Sequence, residues 1–387
     1  MKQRLRNERH TWETRLLAFY VFAFAAFFIV LAASYAAQVV PFGFPGAKPA
    51  DIPEAWKPLI GEYGQEQPSL GRTLLRREMG EYGRKQPSLV LLEKSGTLLL
   101  RELNGTENTL QPAPDGTFTL IKPQGAPSTV GFGQATRGHA DSITITTGDE
   151  IRFERRKFDP EQGQVFQIRP ARSIDQLRQE ALAASPPHES GQFRAPNLVD
   201  IAALDPYIHL DIRYATENDF LGTPVYTQAR AFLQRPAAEA LVRALRRLES
   251  YGYGLLIHDA YRPWYVTKIF WDATPPEGKI FVADPSEGSR HNRGCAVDLT
   301  LYDLKSGKPV EMTGTYDEMS PRSFPDYPGG TSLQRWHRDL LRWAMESEGF
   351  TVYEHEWWHF DFKDWHAYPI LNVPFERLQF EQKKLAP

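Results

Sequence analysis

Cysteine is almost absent from this chain of 387 residues: Cys295 is the only one. A single thiol excludes an intramolecular disulfide, and none stands near the N-terminus to carry a lipid. Stability must therefore come from packing and from any bound metal. Net charge is equally scant, −3 at pH 7, which gives no electrostatic case for a nucleic-acid partner. Asp, Glu, Lys and Arg are missing altogether from residues 16–40, an apolar run long enough to cross a bilayer as a helix. Lys2, Arg4, Arg6, Arg9 and Arg15 precede it, and a basic flank of this kind stays cytoplasmic and sends the remainder outside. The expectation is an extracytoplasmic protein of the cell envelope, held at the membrane by residues 1–40 or released to the periplasm by cleavage near Ala32-Ala33-Ser34-Tyr35-Ala36-Ala37. The length of the apolar run favours a retained anchor.

What is present reads as packed globular protein: 41% hydrophobic residues, 12% aromatic and 24% charged. The length exceeds what one core reaches, so at least two domains are expected. Residues 41–54, rich in proline and glycine, read as a tether. The stretch Gly-Glu-Tyr-Gly at 61–64 opens a segment, 61–70, that returns nearly unchanged at 80–89. Two copies do not make a solenoid, and the pattern reads as a local duplication of a turn and strand start. Hairpins are predicted over 89–103, turning at Lys94-Ser95-Gly96, and over 142–155, turning at Gly148-Asp149. Ile143, Ile145, Ile151 and Phe153 alternate with polar neighbours, the period of a half-buried antiparallel sheet. Residues 55–170 are thus expected to be a small all-β domain of unknown partner, and 171–195 a helix capped by Ser173 followed by a linker.

Residues 196–387 alternate strand and helix signals. A strand is predicted at 211–214, and a helix at 236–250 with Leu241, Leu245 and Leu248 on one face. A buried strand at 255–258 runs into Asp259-Ala260-Tyr261-Arg262-Pro263. A further helix begins at Ser332, carries Leu333, Trp336, Leu340 and Trp343, and is ended by Gly349 before a strand at 350–353. An α+β domain with a central antiparallel sheet and flanking helices fits this order.

Within it stand Ser289-Arg290-His291, then Asp298, then Glu356-Trp357-Trp358-His359. Two imidazoles and a carboxylate are the protein ligands a catalytic zinc needs, and a second carboxylate is what a metal-bound water needs as base. Residues 291 and 298 are seven apart, which on an unbroken strand puts them on opposite faces. A turn or bulge around Gly294 must bring both inward. Strict alternation over 354–359 sets His355 and His359 on one face and Glu356 on the other. Spacing alone leaves Glu354 and Glu356 as candidate bases, and His355 and His359 as candidate ligands.

Taken together, Asp259-Ala260-Tyr261-Arg262-Pro263, the run from Ser289 through His291, Gly294 and Ala296 to Asp298-Leu299-Thr300-Leu301, and Glu356-Trp357-Trp358-His359 resemble the D-alanyl-D-alanine dipeptidase family of vancomycin-resistance type. That family sits among zinc enzymes that include lysostaphin-like and hedgehog-like domains, and the resemblance covers about residues 196–375. It implies one zinc held by His291, Asp298 and His359, with Glu356 as general base and acid and Arg262 stabilising the oxyanion. Asp259 and Tyr261 would orient Arg262 or line the pocket, and Ser289 would bind substrate backbone or cap a turn. Tyr316-Asp317-Glu318-Met319 resembles a family segment near the substrate's amino end, which makes Asp317 a candidate there. His258, His337, His355 and His366 read as packing or surface residues, and Trp357, Trp358 and Trp365 as a wall behind the site.

The implied activity is hydrolysis of D-Ala-D-Ala or a related D-amino-acid dipeptide. Its alternatives are a carboxypeptidase or endopeptidase acting on cell-wall stem peptides, and a non-catalytic wall-binding protein with a structural zinc; the presence of Glu356 speaks against the last. The chain departs from the family pattern in a short segment at 271–288, in the apolar leader and in the β domain, and a more open cleft is the expectation. Cys295 occupies a small-residue position of the zinc loop, where a buried structural thiol is expected.

Overall fold

The computed structural model describes residues 42–64, 89–136, 138–156, 166–170 and 172–378. The predicted membrane segment and nearly all of the second repeat copy lie outside them. Among the described residues no helix is long and apolar enough to cross a membrane.

The predicted β-rich region closes on itself. Strands β1 (Gly61–Gly64), β2 (Leu89–Lys94), β3 (Thr97–Glu102), β4 (Glu107–Pro112), β5 (Phe118–Ile121) and β6 (Ser128–Phe132) are followed by a side pair, β7 (Ala135–Thr136) and β8 (His139–Ala140). Strands β9 (Ser142–Thr147) and β10 (Glu150–Arg156) complete an antiparallel barrel of order β1-β10-β9-β6-β5-β4-β3-β2. Closure leaves no free edge and gathers Tyr63, Leu91, Leu100, Leu120, Val130 and Ile143 into its core. The alternation read from the sequence was misleading in one strand: Ile151 and Phe153 are 70% and 49% exposed. They pair with Thr146 and Thr144, the outward residues of β9, because a two-residue turn matches odd positions with even ones.

Helix α1 (Ile174–Ala183) starts at Ser173, whose hydroxyl accepts from the Gln176 N–H. There follow β11 (Leu198–Asp200), β12 (Ile208–Leu210), β13 (Phe232–Gln234), α2 (Arg235–Glu249), β14 (Tyr253–Asp259), α3 (Trp264–Ala273), β15 (Ala296–Asp303), α4 (Ser332–Glu346), β16 (Phe350–Tyr353) and β17 (Glu356–Phe362). Five strands form one sheet of order β12-β14-β15-β17-β16, which makes this region α+β. The sheet is antiparallel except that edge strand β12 runs parallel to β14. The strand predicted at 211–214 is instead a 3₁₀ turn at Arg213–Ala215, the strand having ended at Leu210. Helices α2 and α4 bury Leu241, Leu245 and Leu248, and Trp336, Leu340 and Leu341, in the main core beside the strands. Thr331 and Gln334 close a reciprocal capping box at the start of α4.

Neither expected connector is free. Residues 42–46 lie along α4, where the Phe42 N–H donates to Glu346 Oε2 at 3.0 Å and the Trp336 indole donates to the Gly46 carbonyl at 3.0 Å, and Ile52 packs into the barrel core. Glu189, in the expected linker, accepts from Arg293 and from the Ile370 N–H, each at 2.6 Å. Barrel and α+β region fall within one compact unit.

Candidate metal centre and active site

Strand register creates the site. Asp298 on β15 lies opposite Asp259 on β14 and opposite His359 on β17. Directly opposed residues share a face, so three strands set these side chains in a row. The row depends on an irregularity: Ile257 pairs with Leu299 and then Asp259 with Asp298, which leaves His258 as the extra residue of a bulge. Without it His258 would stand beside Asp298. His291 enters from a 3₁₀ turn, His291–Arg293, and Gly294 at φ 66° reverses the chain into β15. A side chain there would meet Leu198 Cδ2 at 2.4 Å, so glycine is required twice over. Asn292 ties this turn down: its amide donates to Arg262 O and Thr267 Oγ1, both at 2.8 Å, and its oxygen accepts from the Ser289 N–H at 2.8 Å.

His291, Asp298 and His359 are buried, with one potential ligand atom from each lying within 4.8 Å of the others. His291 Nδ1 donates to the Ala260 carbonyl at 2.6 Å, which leaves the Nε2 lone pair facing His359 Nδ1 at 3.1 Å and Asp298 Oδ1 at 3.3 Å. His359 Nε2 donates to Asp361 Oδ1 at 2.9 Å, turning its own Nδ1 lone pair to Asp298 Oδ1 at 3.0 Å. That Oδ1 atom is buried and faces no donor besides the two imidazoles, while Oδ2 accepts from the Tyr316 hydroxyl at 3.1 Å. Three ligand atoms thus converge on a carboxylate that either a proton on His359 or a bound cation must neutralise. Two imidazole nitrogens and one carboxylate oxygen match the donor set of a zinc site with an open position. Burial opposes charge on Asp298, yet His291 and His359 hold its pKa well below the usual value. Burial likewise opposes charge on His359, and Asp361 and Asp298 still raise it to about 10. The pocket attracts positive charge.

Glu356 stands beside this group, Oε2 3.8 Å from His359 Nδ1. Its odd spacing from His359 is absorbed where β16 meets β17, because the register shifts between Val352 and Tyr353, the partner of Glu356. Glu354 and His355 form the turn between those strands and do not line the cavity. Burial pushes Glu356 up to about 8, with His359 tempering the rise and Asp298 adding to it. Arg262 lies under the metal row: Nε and Nη2 both reach Asp259 Oδ2 at 2.9 Å, Nη2 is 3.7 Å from Asp298 Oδ2, and the guanidinium rests over Phe270. Asp259 Oδ1 accepts from the Tyr226 hydroxyl at 2.7 Å, so this carboxylate sits behind Arg262 and outside the cavity. Tyr261 does not line the cavity either; its hydroxyl donates to Val373 O and accepts from Val373 N, pinning the C-terminal segment.

Ser289 caps the turn, its hydroxyl accepting from the His291 N–H at 3.2 Å, and it also lines the cavity. Asp317 lines the cavity at φ 59°, with Oδ1 accepting from the Tyr214 hydroxyl at 3.0 Å and Oδ2 buried without a partner. Burial, then Asp298 and Glu356, raise its pKa well above the usual carboxylate range. Phe220, Phe270, Met319 and Trp358 supply apolar wall, and the short segment at 271–288 contributes Ile280, Phe281, Val282 and Ala283. Trp357 is buried in the core, and Trp365 lies outside the cavity with the Arg290 guanidinium 4.7 Å above its ring. His258, His337 and His366 stay outside the cavity too. Cys295 is buried in the core, apart from the metal group, its thiol pushed up to about 12 by burial.

Asp361 and Asn292 went unread in the sequence, and Tyr316 and the cavity-lining Arg290 stood in quoted motifs without a role of their own. Asp361 had a signal, two residues after His359 and so on the same strand face. Asn292 had none, since the two acceptors of its amide, Arg262 O and Thr267 Oγ1, come from another segment.

A family profile described as D-ala-D-ala dipeptidase matches residues 194–379. Over 178 residues the chain is 36% identical to a D-alanyl-D-alanine dipeptidase of Escherichia coli (strain K12), covering 46% of this chain and 91% of that protein. It is 35% identical over 185 residues to the Enterococcus faecium protein of the same name, covering 42% and 90%, and 35% over 175 residues to that of Streptomyces coelicolor, covering 41% and 87%. This α+β region is therefore that of a hydrolase of the dipeptidase class. The chain belongs to the D-alanyl-D-alanine dipeptidase family. The match begins at residue 194, beyond the barrel.

Proposed function

We propose that the chain is a zinc dipeptidase acting on D-Ala-D-Ala or a closely related D-amino-acid dipeptide. The observation that carries this is the convergence of His291 Nε2, Asp298 Oδ1 and His359 Nδ1 in the wall of a cavity that also holds Glu356 and Arg262. Zinc held by those three atoms would supply a Lewis acid that acidifies water and polarises the scissile carbonyl. Glu356 takes the proton of the attacking water at its carboxylate and hands it to the departing amine. Arg262, held by Asp259, neutralises the charge that develops on the carbonyl oxygen. A free dipeptide carries charge at both ends. Asp317 Oδ2, buried and unpartnered, suits the ammonium, and Arg290 suits the carboxylate.

The D configuration rests on the names of the relatives, and the extracytoplasmic location on the basic leader before residues 16–40. Protease shaving of intact cells, with removal of the catalytic region as the expected outcome, tests the location. The chemistry is tested by following D-Ala-D-Ala cleavage with the purified chain, with and without zinc, beside Glu356→Gln. A loss of about 10²–10⁴ in kcat is expected of the variant. Undiminished cleavage by Glu356→Gln or by metal-free protein would overturn the mechanism. Mass spectrometry of treated muropeptides separates a dipeptidase, which leaves them intact, from a stem-peptide carboxypeptidase or endopeptidase.

A further inference from the structure

Residues 313–331 run as one loop into α4, and its two halves touch different things. The first half carries Tyr316, whose hydroxyl holds Asp298, and Asp317 and Met319, which line the cavity. The second half is gripped by the barrel. Tyr327 packs among Val90, Leu92 and Leu99, and its hydroxyl donates to Glu62 Oε1 on β1 at 2.9 Å. Gly330 forms a parallel bridge with Leu92, and its carbonyl accepts from the Glu93 N–H at 3.1 Å.

Glu93, buried at the end of β2, accepts from the Ser332 N–H at 2.7 Å and from the Ser332 hydroxyl at 3.2 Å. Its carboxylate therefore caps the positive end of α4 from outside the catalytic region. Arg335 adds a bond to the Glu93 carbonyl at 2.6 Å and further bonds to the carbonyls of Gly329 and Gly330, each at 3.0 Å.

Hydrogen bonds join the two halves without a gap. Tyr327 N–H donates to Phe324 O at 3.1 Å, the Ser323 hydroxyl donates to Glu318 O, and Glu318 accepts from the Ser320 hydroxyl at 2.6 Å and the Thr315 N–H at 3.0 Å. Asp317 sits beside Glu318 in a left-handed backbone, φ 59°, a conformation that aspartate adopts more readily than most side-chain-bearing residues and that its loop must still hold in place. Its one bonded carboxylate oxygen has a single partner, Tyr214, so the loop itself must supply the constraint.

We propose that the barrel is a buttress for the loop that receives the substrate's amino end. Strands β1 and β2 clamp residues 327–332, and the network centred on Glu318 passes that restraint to Asp317. Glu93 and Tyr327 are positioning residues, acting through the loop rather than on substrate. The inference rests on the reading of Asp317 as the ammonium partner, and it gives the barrel a role inside the reaction that needs no separate ligand.

The test uses the full chain with zinc, comparing Glu93→Ala, Glu93→Gln and Tyr327→Phe with Asp317→Asn. In Glu93→Ala the KM for D-Ala-D-Ala rises about five- to tenfold while kcat stays within about twofold. Glu93→Gln, which keeps an acceptor for the Ser332 N–H, recovers most of the loss, and Tyr327→Phe gives a smaller rise of the same kind. A merely destabilised protein behaves differently, losing active fraction and thus kcat with KM intact. Hydrogen exchange gives a readout independent of activity: amides of 315–320 exchange faster in Glu93→Ala. Acceleration confined to 327–335, or an unmoved KM in Glu93→Ala where Asp317→Asn raises it, overturns the buttress. Should the unaltered chain not cleave D-Ala-D-Ala, or Asp317→Asn leave KM unmoved, the substrate reading falls, and the exchange pattern alone decides whether the barrel restrains the loop.

Discussion

Removing the carboxylate of Asp361 should loosen zinc without touching a ligand. Asp361 Oδ1 takes the Nε2–H of His359 at 2.9 Å, and this bond selects the tautomer whose Nδ1 faces Asp298 and His291. The partner is itself anchored, since Asp361 Oδ2 lies 3.5 Å from Arg290 Nε. Burial works against charge on Asp361, yet His359 keeps its pKa below the usual value, so the carboxylate is present to do this. Loss of such an outer partner costs roughly 10–100-fold in metal affinity, or about 1.4–2.7 kcal/mol. Asp361→Asn retains an acceptor and loses only charge, so about tenfold is expected. Asp361→Ala loses orientation as well and should approach a hundredfold. Zinc dissociation constants from competition with a chromophoric chelator measure both, with Asp364→Ala as a control off the metal row. An Asp361→Ala affinity within twofold of the unaltered chain would refute the argument that this bond sets His359.

Three other perturbations separate the remaining roles. Arg262→Ala should lower kcat by about 10²–10³, and Arg262→Lys should restore little because an ammonium cannot keep both the Asp259 contact and the reach to the reacting oxygen; steady-state kinetics on D-Ala-D-Ala checks both. Arg290→Gln should raise KM several-fold more for the free dipeptide than for a C-terminally amidated analogue, which shares only the change that reaches His359 through Asp361; parallel kinetics on the two compounds would show it. The third concerns His337, which is buried neutral, with Nδ1 3.2 Å from Glu311 O and Nε2 2.9 Å from the Tyr253 hydroxyl, and burial depresses its pKa from 6.5 to about 4. Between those values the unfolded chain binds a proton that the folded one refuses, so stability present above pH 6.5 is lost as pH falls toward 4. The loss reaches about 3 kcal/mol, and denaturant unfolding at neutral and acid pH should show a flatter dependence in His337→Gln.

Much of the local structure was legible in the residues because its causes are local. Ser173 before an apolar periodicity, the leucines of α2 and the hairpin turns at Lys94-Ser95-Gly96 and Gly148-Asp149 each act within a few positions of themselves. The ligand types of the metal row were legible for the same reason: His, Asp and His with a neighbouring Glu is a chemical statement, and the linked motifs carried the family. What failed was face and neighbour. Ile151 and Phe153 follow the same alternation as Ile143 and Ile145 yet point outward, since the phase of a strand is set by the turn that pairs it.

The same logic divides the site. By itself the sequence determined that this chain has a hydrolase's donors, and that a turn or bulge must intervene if His291 and Asp298 are to meet; that the turn needs a left-handed glycine at 294 came from the structure. Spacing left His355 beside His359 and Glu354 beside Glu356, the linked motifs pointed to the second of each pair, and the tertiary structure supplies the physical reason: the first of each pair falls in the β16–β17 turn, outside the cavity, while a register shift delivers the second. Only it could place Asp259 rather than His258 in the row, through a bulge defined by the partner strand. And only it joined a barrel that begins at residue 61 to a loop at 327–332, because Glu62, Glu93, Tyr327 and Ser332 meet through contacts across more than 200 residues of chain, a separation no local pattern encodes.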